Sequence, residues 1–211
     1  GHGPWPIEAV RLDVDRQGWA ETVLAVLERC RALVVGPGLG RDETTQAEVR
    51  RVVSRSPVPV VVDADGLFAL GDDPGPVVAG DRPVVLTPHD GEYARLAGDD
   101  AGTDRIDAAR RLAVRAGAVV LLKGSLTTVA APGGRVLLAA VGTARLATAG
   151  TGDVLSGVIG AFLARGMAPL DAAALAAHVH GRAAGQGPAE GLVAGDVPPL
   201  VSACLSELAG D

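Results

Sequence analysis

Aromatic side chains are almost absent from this sequence of 211 residues. Phenylalanine, tyrosine and tryptophan make up 2% of it, although 48% of the residues are hydrophobic. The core must therefore be aliphatic, and the many alanines and glycines suit close packing of helices on a sheet. A chain of this length can bury a substantial core, as one large domain or two small ones.

Cysteine, clustered positive charge and long apolar runs are scarce too. Cys30 and Cys204 lie far apart and outside any metal-binding spacing, so we expect no disulfide framework and a reducing, cytoplasmic setting. The net charge of −6, without a basic block, argues against a nucleic-acid partner. No apolar run reaches the ~18 residues needed to span a membrane, and the first residues lack a signal-peptide pattern. We therefore expect a soluble protein with neither nucleic acid nor membrane as a partner.

Short aliphatic runs alternate with segments of helical periodicity along the chain. Aliphatic runs predict strands at 32–35, 58–62, 83–86 and 118–122, and a hairpin at 127–131 and 135–139. Helical spacing predicts helices at 19–30, 42–55, 66–70, 90–96, 105–116, 153–165, 169–184 and 197–209. The alternating pattern at 10–14 fits either a short strand or an extended arm.

The predicted strands are continuously aliphatic rather than alternating. Such strands are buried on both faces, as in a mainly parallel sheet, and their alternation with helices indicates a doubly wound α/β fold. No repeat or long linker divides the chain, so residues 1–211 are interpreted as one domain. Ligands bind beyond the carboxyl ends of such strands. The loops 36–40, 63–65, 87–92 and 123–127 are therefore expected to form one cleft.

A turn of small residues at 147–152 leads directly into a helical pattern. Gly150, Thr151 and Gly152 leave the first amides of that helix uncovered, which suits an anion such as phosphate. Asp153 follows at once. It either favours the start of the helix, as aspartate often does, or accepts a proton from a hydroxyl group that attacks the bound phosphate.

Two of the other loops also carry residues suited to chemistry. His89 follows a strand and precedes a helix, so we expect it to face the cleft; the alternative is a capping turn in which Asp90 caps the helix. Lys123 opens the run 123–127, where a cation and hydroxyl groups suit nucleotide phosphates. Alternatively, Lys123 only extends from a buried strand to solvent. The glycines at 36–40 fit a tight turn or a close approach to a ligand.

Two acidic residues and two histidines are weaker candidates. Asp63 and Asp65 are placed to hold Mg²⁺ through water, but aspartate is common in turns at strand ends, and we favour that structural role. His178 and His180 are two residues apart on a predicted helix and point to different sides. They are interpreted as structural residues rather than as a metal pair.

Five short motifs follow one another along the chain. They are Gly-Pro-Gly-Leu-Gly at 36–40, Val-Asp-Ala-Asp at 62–65, Leu-Thr-Pro-His-x-Gly-Glu at 86–92, Leu-Lys-Gly at 122–124 and Ala-Thr-Ala-Gly-Thr-Gly-Asp-Val-Leu-Ser-Gly at 147–157. In this order they resemble the NAD(P)H-hydrate dehydratase family of the ribokinase-like superfamily, from residue 32 to the C-terminus. The resemblance implies a ribokinase-like fold and repair of hydrated nicotinamide cofactors. The S epimer of NADHX or NADPHX would be dehydrated to NADH or NADPH while ADP, in the bacterial type, or ATP is consumed.

The resemblance also implies roles for individual residues. Asp153 would be the base for the hydroxyl group of the hydrated ring, and the anion hole would comprise Gly150, Thr151 and Gly152. The hydrated cofactor would be contacted by Gly38, His89 and Asp153. The adenine nucleotide would be bound by Lys123, Gly124, Ser125, Leu126, Thr127 and Gly152. Mg²⁺ would lie at the phosphates, with Glu92 contributing through water.

Two features depart from the family pattern. Gly-Thr-Ala at 142–144 stands where the family usually has Gly-Asn-Pro. Nothing before Gly36 matches the first strand of the family and the small-residue loop that touches the hydrated cofactor. We therefore expect the N-terminal strand or strands of the sheet to be missing from this chain.

Two other functions stay open. A ribokinase-like kinase would phosphorylate a pyrimidine or thiazole alcohol, and a non-catalytic module would only bind nucleotide. We further expect a homo-oligomer, and an epimerase as a partner or a fused domain. Because the candidate residues are predicted at one edge of the sheet, a catalytic Asp153 is preferred to a merely capping one.

Overall fold

The computed structural model describes residues 7–72, 75, 77 and 82–210. Six strands form one sheet: β1 (Leu33–Val35), β2 (Val60–Val62), β3 (Val84–Leu86), β4 (Val119–Leu122), β5 (Thr127–Ala130) and β6 (Val136–Ala139). The helices of the described part are α1 (Trp19–Leu27), α2 (Glu43–Arg55), α3 (Asp65–Leu70), α4 (Asp90–Ala97), α5 (Arg105–Ala116), α6 (Thr151–Ala164), α7 (Pro169–Gln186) and α8 (Val197–Ala209).

The sheet is mainly parallel, as the continuous aliphatic runs predict. Its strand order follows the chain from β1 to β6. The strands β1 to β4 pair in parallel, and the hairpin of β5 and β6 adds two antiparallel strands. Because four parallel strands end at the same edge, the loops that follow them are brought together there.

Helices cover both faces of the sheet. Along β2, Val60 and Val62 lie in the core formed with α2, α4 and α5, whereas Val61 between them lies in the core formed with α6 and α7. Successive side chains of a strand point to opposite faces, so an all-valine strand suits a sheet buried on both sides. Both cores are mainly aliphatic, as the composition requires, with Tyr93 in the first and Phe162 in the second. This mixed six-stranded sheet flanked by helices is the ribokinase-like arrangement that the motifs imply.

The predicted elements are found, with small shifts at their ends. The helix expected from Asp153 begins at Thr151, and α7 continues to Gln186. The alternating segment 10–14 forms no strand, and Val10 is 98% exposed. Its apolar side chains face solvent because no neighbouring strand among the described residues pairs with it. No helix in the described part of the chain combines the length and apolarity needed to cross a membrane.

Candidate active site

The loops after β1 to β4 meet at one edge of the sheet. The amide of Gly40 donates to Asp65 Oδ2 at 3.0 Å and joins the first loop to the second. Lys123 Nζ lies 2.9 Å from Asp63 Oδ1 and 3.7 Å from Glu92 Oε2, which joins the fourth loop to the second and third. The predicted cleft therefore exists, and an ammonium group lies between two of its carboxylates.

The N-terminus of α6 reaches this edge as well. Gly150 is its N-cap with a φ of 88°, a left-handed conformation that favours glycine. The Thr151 hydroxyl donates to the carbonyl oxygen of Leu146 at 2.7 Å and fixes the turn. A Cβ atom on Gly152 would stand 3.6 Å from Lys123 Nζ. The free amides of the first turn and this ammonium group can therefore hold one anion between them.

Asp153 lies in the first turn of α6, beside this anion site. It does not cap the helix, because Gly150 occupies the N-cap position. Partial burial raises the pKa of Asp153; the negative charge of Asp63 raises it further, and Lys123 opposes the effect. A carboxylate that holds a proton more readily than usual is suited to act as a general base.

His89 is the N-cap of α4. Its Nδ1 accepts hydrogen bonds from the amides of Gly91 at 3.0 Å and Glu92 at 3.2 Å. The alternative interpretation, in which Asp90 caps this helix, is therefore wrong. The Asp90 carboxylate accepts instead from Arg105 Nη1 at 2.6 Å, since the imidazole already satisfies the first amides. His89 both caps the helix and faces the cleft.

Two cavities adjoin His89. The larger has a volume of about 520 Å³ and is lined by His89, Lys123, Gly124, Ser125, Thr127, Ala139, Gly142, Thr143, Ala144, Leu146, Ala147, Thr151, Gly152, Leu155, Ala177, His180 and Gly181. The smaller, of about 170 Å³, is lined by Arg41, Ala64, Leu67, Phe68, His89, Gly91, Glu92 and Arg95. His89 thus separates a large cavity beside the anion site from a small one beside Glu92.

The larger cavity collects most of the residues predicted to bind nucleotide. Leu126 is the exception: it is exposed and does not line the cavity. Gly38 lines neither cavity; it lies in a left-handed turn with a φ of 71°, with open space where a Cβ atom would stand. The family departure at 142–144 lies in the wall of the larger cavity, beside the predicted nucleotide loop.

The sequence pattern predicts a structural role for His180, yet this residue lines the larger cavity. It is 5% exposed, and its Nε2 has no hydrogen-bond partner among the described residues. Burial lowers the pKa of His180 to about 4, and a backbone group of Thr151 opposes this shift. The imidazole is therefore neutral near pH 7. A usable signal was Gly181, because a glycine inside a helix often marks a close backbone approach; a Cβ atom there would lie 2.5 Å from the carbonyl oxygen of Val141.

Protein groups already occupy most carboxylate oxygens of the cleft. Asp63 accepts from Lys123 and Ser156, Asp65 accepts from a backbone amide and Arg41, and Glu92 Oε2 accepts from the His89 amide at 2.8 Å. The described residues contain no group of three or more candidate metal ligands. Mg²⁺ commonly keeps several waters and binds substrate phosphates with one or two carboxylates. Mg²⁺ held mainly by substrate phosphates and water would therefore fit this site.

The sequence pattern of one family, described as NAD(P)H-hydrate dehydratase, matches residues 6–206. The chain belongs to the NAD(P)H-hydrate dehydratase family. It is 47% identical over 194 residues to the bifunctional NAD(P)H-hydrate repair enzyme Nnr of Mycobacterium leprae, covering 90% of this chain and 41% of that protein. It is 39% identical over 187 residues to the ADP-dependent (S)-NAD(P)H-hydrate dehydratase of Neisseria meningitidis, covering 83% of this chain and 63% of that protein.

A solved structure of this dehydratase family shares the fold. It is the ADP/ATP-dependent NAD(P)H-hydrate dehydratase of Bacillus subtilis, co-crystallised with ATP and Mg²⁺ and soaked with CoA. The TM-score is 0.74 at 31% identity, and the match covers 84% of this chain and 66% of that one. The chain therefore spans less than two thirds of the length of these relatives.

Proposed function

We propose that the chain dehydrates the S epimer of hydrated NADH or NADPH back to NADH or NADPH while it consumes an adenine nucleotide. The observation that carries the proposal is the meeting of Lys123 Nζ and the α6 turn at Gly152 in the wall of a cavity of about 520 Å³. Asp153 is the next residue of that turn and is close enough to Lys123 for the ammonium group to act on its pKa. Family membership and the names of the Neisseria and Bacillus relatives support this reaction.

In the proposed mechanism the nucleotide lies in the larger cavity, with its terminal phosphoryl group at the N-terminus of α6. Asp153 accepts the proton of the ring hydroxyl while the hydroxyl oxygen bonds to phosphorus and the nucleotide leaves. The bond between the ring carbon and this oxygen then breaks, and inorganic phosphate departs with the oxygen and the electron pair. Loss of a proton from the adjacent ring carbon forms the carbon–carbon double bond. The net change is loss of water from the cofactor, with ADP converted to AMP and phosphate. We propose ADP as the preferred co-substrate because the Neisseria relative is named ADP-dependent.

The chain's own groups act mainly by position and charge. Phosphoryl transfer depends chiefly on alignment and on stabilising the charge of the transferred group. Lys123 and the amides of Gly150 and Gly152 would supply fixed positive charge there, whereas the Thr151 amide already donates to the carbonyl oxygen of Thr148. His89 and Gly38 would contact the hydrated cofactor on the opposite side. Bound Mg²⁺ would neutralise phosphate charge, with Glu92 reaching it through water.

A turnover assay on purified (6S)-NADHX tests the proposal, with ADP and ATP compared. We expect NADH and inorganic phosphate to form together, and faster with ADP. A stable phosphorylated product, identified by mass spectrometry, would instead indicate a small-molecule kinase. Thermal stabilisation by nucleotide without any turnover would indicate a binding module. Either result would overturn the proposal.

The partners are also proposals. An epimerase, separate or fused, would supply the S epimer. The Mycobacterium relative is named bifunctional, and this chain matches 41% of its length, which leaves room in that protein for a second activity. A homo-oligomer and a cytoplasmic location remain predictions. Sedimentation of the purified chain tests the first of these, and fractionation of cells that produce the protein tests the second.

A further inference from the structure

Asp63 is a buried carboxylate to which the proposed reaction gives no role. It follows β2 and is 1% exposed. Its Oδ1 accepts a hydrogen bond from Lys123 Nζ at 2.9 Å, and its Oδ2 accepts from Ser156 Oγ at 2.7 Å. A buried carboxylate is costly unless it is paired and hydrogen-bonded, and here both oxygens have partners.

The backbone beside Asp63 is held in an unusual conformation. Ala64 has a φ of 47° and is the one residue other than glycine with a positive φ in the described part of the chain. Its amide donates to Asp63 Oδ1 at 2.9 Å. Strained backbone persists where the surrounding structure enforces it, and it is common at functional sites. Here the strained residue, Ala64, directly follows Asp63, whose carboxylate points inward to Lys123.

The main chain of Lys123 is fixed independently of Asp63. The Lys123 amide donates to the carbonyl oxygen of Pro88 at 2.8 Å, and Arg105 Nη2 donates to the Lys123 carbonyl oxygen at 2.7 Å. The long aliphatic part of the side chain could still place the ammonium group at several points. The bond to Asp63 Oδ1 selects one of them, beside Gly152 in the first turn of α6.

We propose that Asp63, held by Ser156, is a positioning residue that fixes the ammonium group of Lys123 where it meets the phosphoryl group at the α6 turn. The expected effect on kcat rests on the proposed function, whereas the expected effect on ADP affinity requires only that the chain binds nucleotide. Ser156 lies on α6 itself, so one chain of hydrogen bonds ties the helix that carries the anion site to the lysine. Asp63 acts through Lys123 and touches no reacting atom.

The test compares Asp63→Asn and Ser156→Ala with the unchanged protein. For Asp63→Asn we expect kcat to fall roughly 100-fold, comparable to losing one donor to a developing negative charge. We expect ADP to bind about tenfold more weakly, the scale of one charged hydrogen bond, while adenosine binding stays unchanged. Ser156→Ala should show the same changes to a smaller extent, and it guards against a failure of Asp63→Asn to fold.

Two controls separate positioning from general stability. Asp42→Asn makes the same chemical change at the N-cap of α2, where the side chain lines neither cavity, and should leave kcat and ADP binding unaltered. In a Lys123→Met background, Asp63→Asn should cause no further loss, because the group it positions is gone. Additive losses in the double variant would overturn the proposal, as would unchanged kcat and ADP binding in Asp63→Asn.

The pH dependence adds a readout that a structural role would not move. Asp63 and Lys123 are the charged groups that act on Asp153. Removing the negative charge of Asp63 should move the acid limb of the kcat/KM profile to lower pH. An unmoved limb would contradict the arrangement. If the unchanged protein binds ADP but shows no turnover, the proposed function fails while the ADP comparison still decides the positioning role.

Discussion

Gly36 lies so close to Asp63 that a Cβ atom on Gly36 would stand 1.8 Å from the carbonyl oxygen of Asp63. Its φ is 132°, which side chains rarely tolerate. The loops after β1 and β2 therefore touch through their backbones, and only glycine permits this contact. The same contact fixes the backbone of Asp63, whose carboxylate accepts the hydrogen bond from Lys123.

Gly36→Ala is accordingly expected to destabilise the fold strongly. The added methyl group must displace backbone, so we expect the free energy of unfolding to fall by about 4 kcal/mol or more, beyond most single substitutions. Gly40→Ala is the matched control: its φ of 83° is also strained, but its Cβ atom would meet only Asp42 Oδ2 at 4.0 Å. There we expect a loss of about 1–2 kcal/mol. Equal urea midpoints for the two variants would contradict the assignment of the close contact.

Asp153→Asn tests whether this carboxylate acts as a base or favours the start of the helix. A base contributes roughly 10²–10⁴-fold, so turnover should fall by that factor while ADP still binds. The raised pKa means that the folded environment disfavours the charged form, so the variant should be no less stable near pH 7. Asp171→Asn alters the first turn of α7 in the same way and should retain full turnover. Normal turnover in Asp153→Asn would contradict the role as a base. A lower free energy of unfolding in this variant would favour the role at the start of the helix.

His180 should make stability depend on pH. Its folded pKa of about 4 lies below the ordinary value of 6.5, so below pH 6.5 the unfolded chain binds more protons than the folded one. The contribution of His180 to the free energy of unfolding is fully present above pH 6.5. The free energy of unfolding should decrease by roughly 3 kcal/mol as the pH falls towards 4. Urea unfolding at several pH values measures this slope. His180→Gln should remove that part of the slope, whereas His178→Gln should keep it. An unchanged slope in His180→Gln would show that the imidazole is not buried in its neutral form.

The parts of the site that the sequence predicts are local in the chain. The turn at 150–152 and Asp153 are adjacent, so glycine spacing and a helical pattern are enough to place them. Asp63 and Ser156 are 93 residues apart, and no periodicity in either segment reports their hydrogen bond. A strand pattern shows that Asp63 ends β2, but not that a helix later in the chain delivers a hydroxyl group to it.

Histidine illustrates the same limit at two positions. The pattern at 86–92 predicts that His89 faces the cleft, where it lines both cavities, and it leaves Asp90 as the alternative cap because aspartate is the commoner capping residue. Geometry favours His89, whose Nδ1 reaches two amides. For His180, helical spacing separated it from His178 but did not report that residues 141–144 lie opposite it.

Gly142→Ala tests the close contact between segment 142–144 and the predicted nucleotide loop without disturbing the core. A Cβ atom on Gly142 would lie 2.5 Å from the carbonyl oxygen of Ser125, so the added methyl group must displace the predicted nucleotide loop. Since both residues line the larger cavity, ADP affinity should fall by about tenfold, which corresponds to about 1.4 kcal/mol.

Gly133→Ala, in the turn between β5 and β6, is the control for that substitution. A Cβ atom there meets nothing within 4 Å, so ADP affinity should not change. Calorimetric titration with ADP and with adenosine measures both variants. Because Ser125 belongs to the loop that begins at Lys123, the loss should be larger for ADP than for adenosine. An equal loss for both ligands would place the disturbance at the adenosine part of the nucleotide instead of at its phosphates.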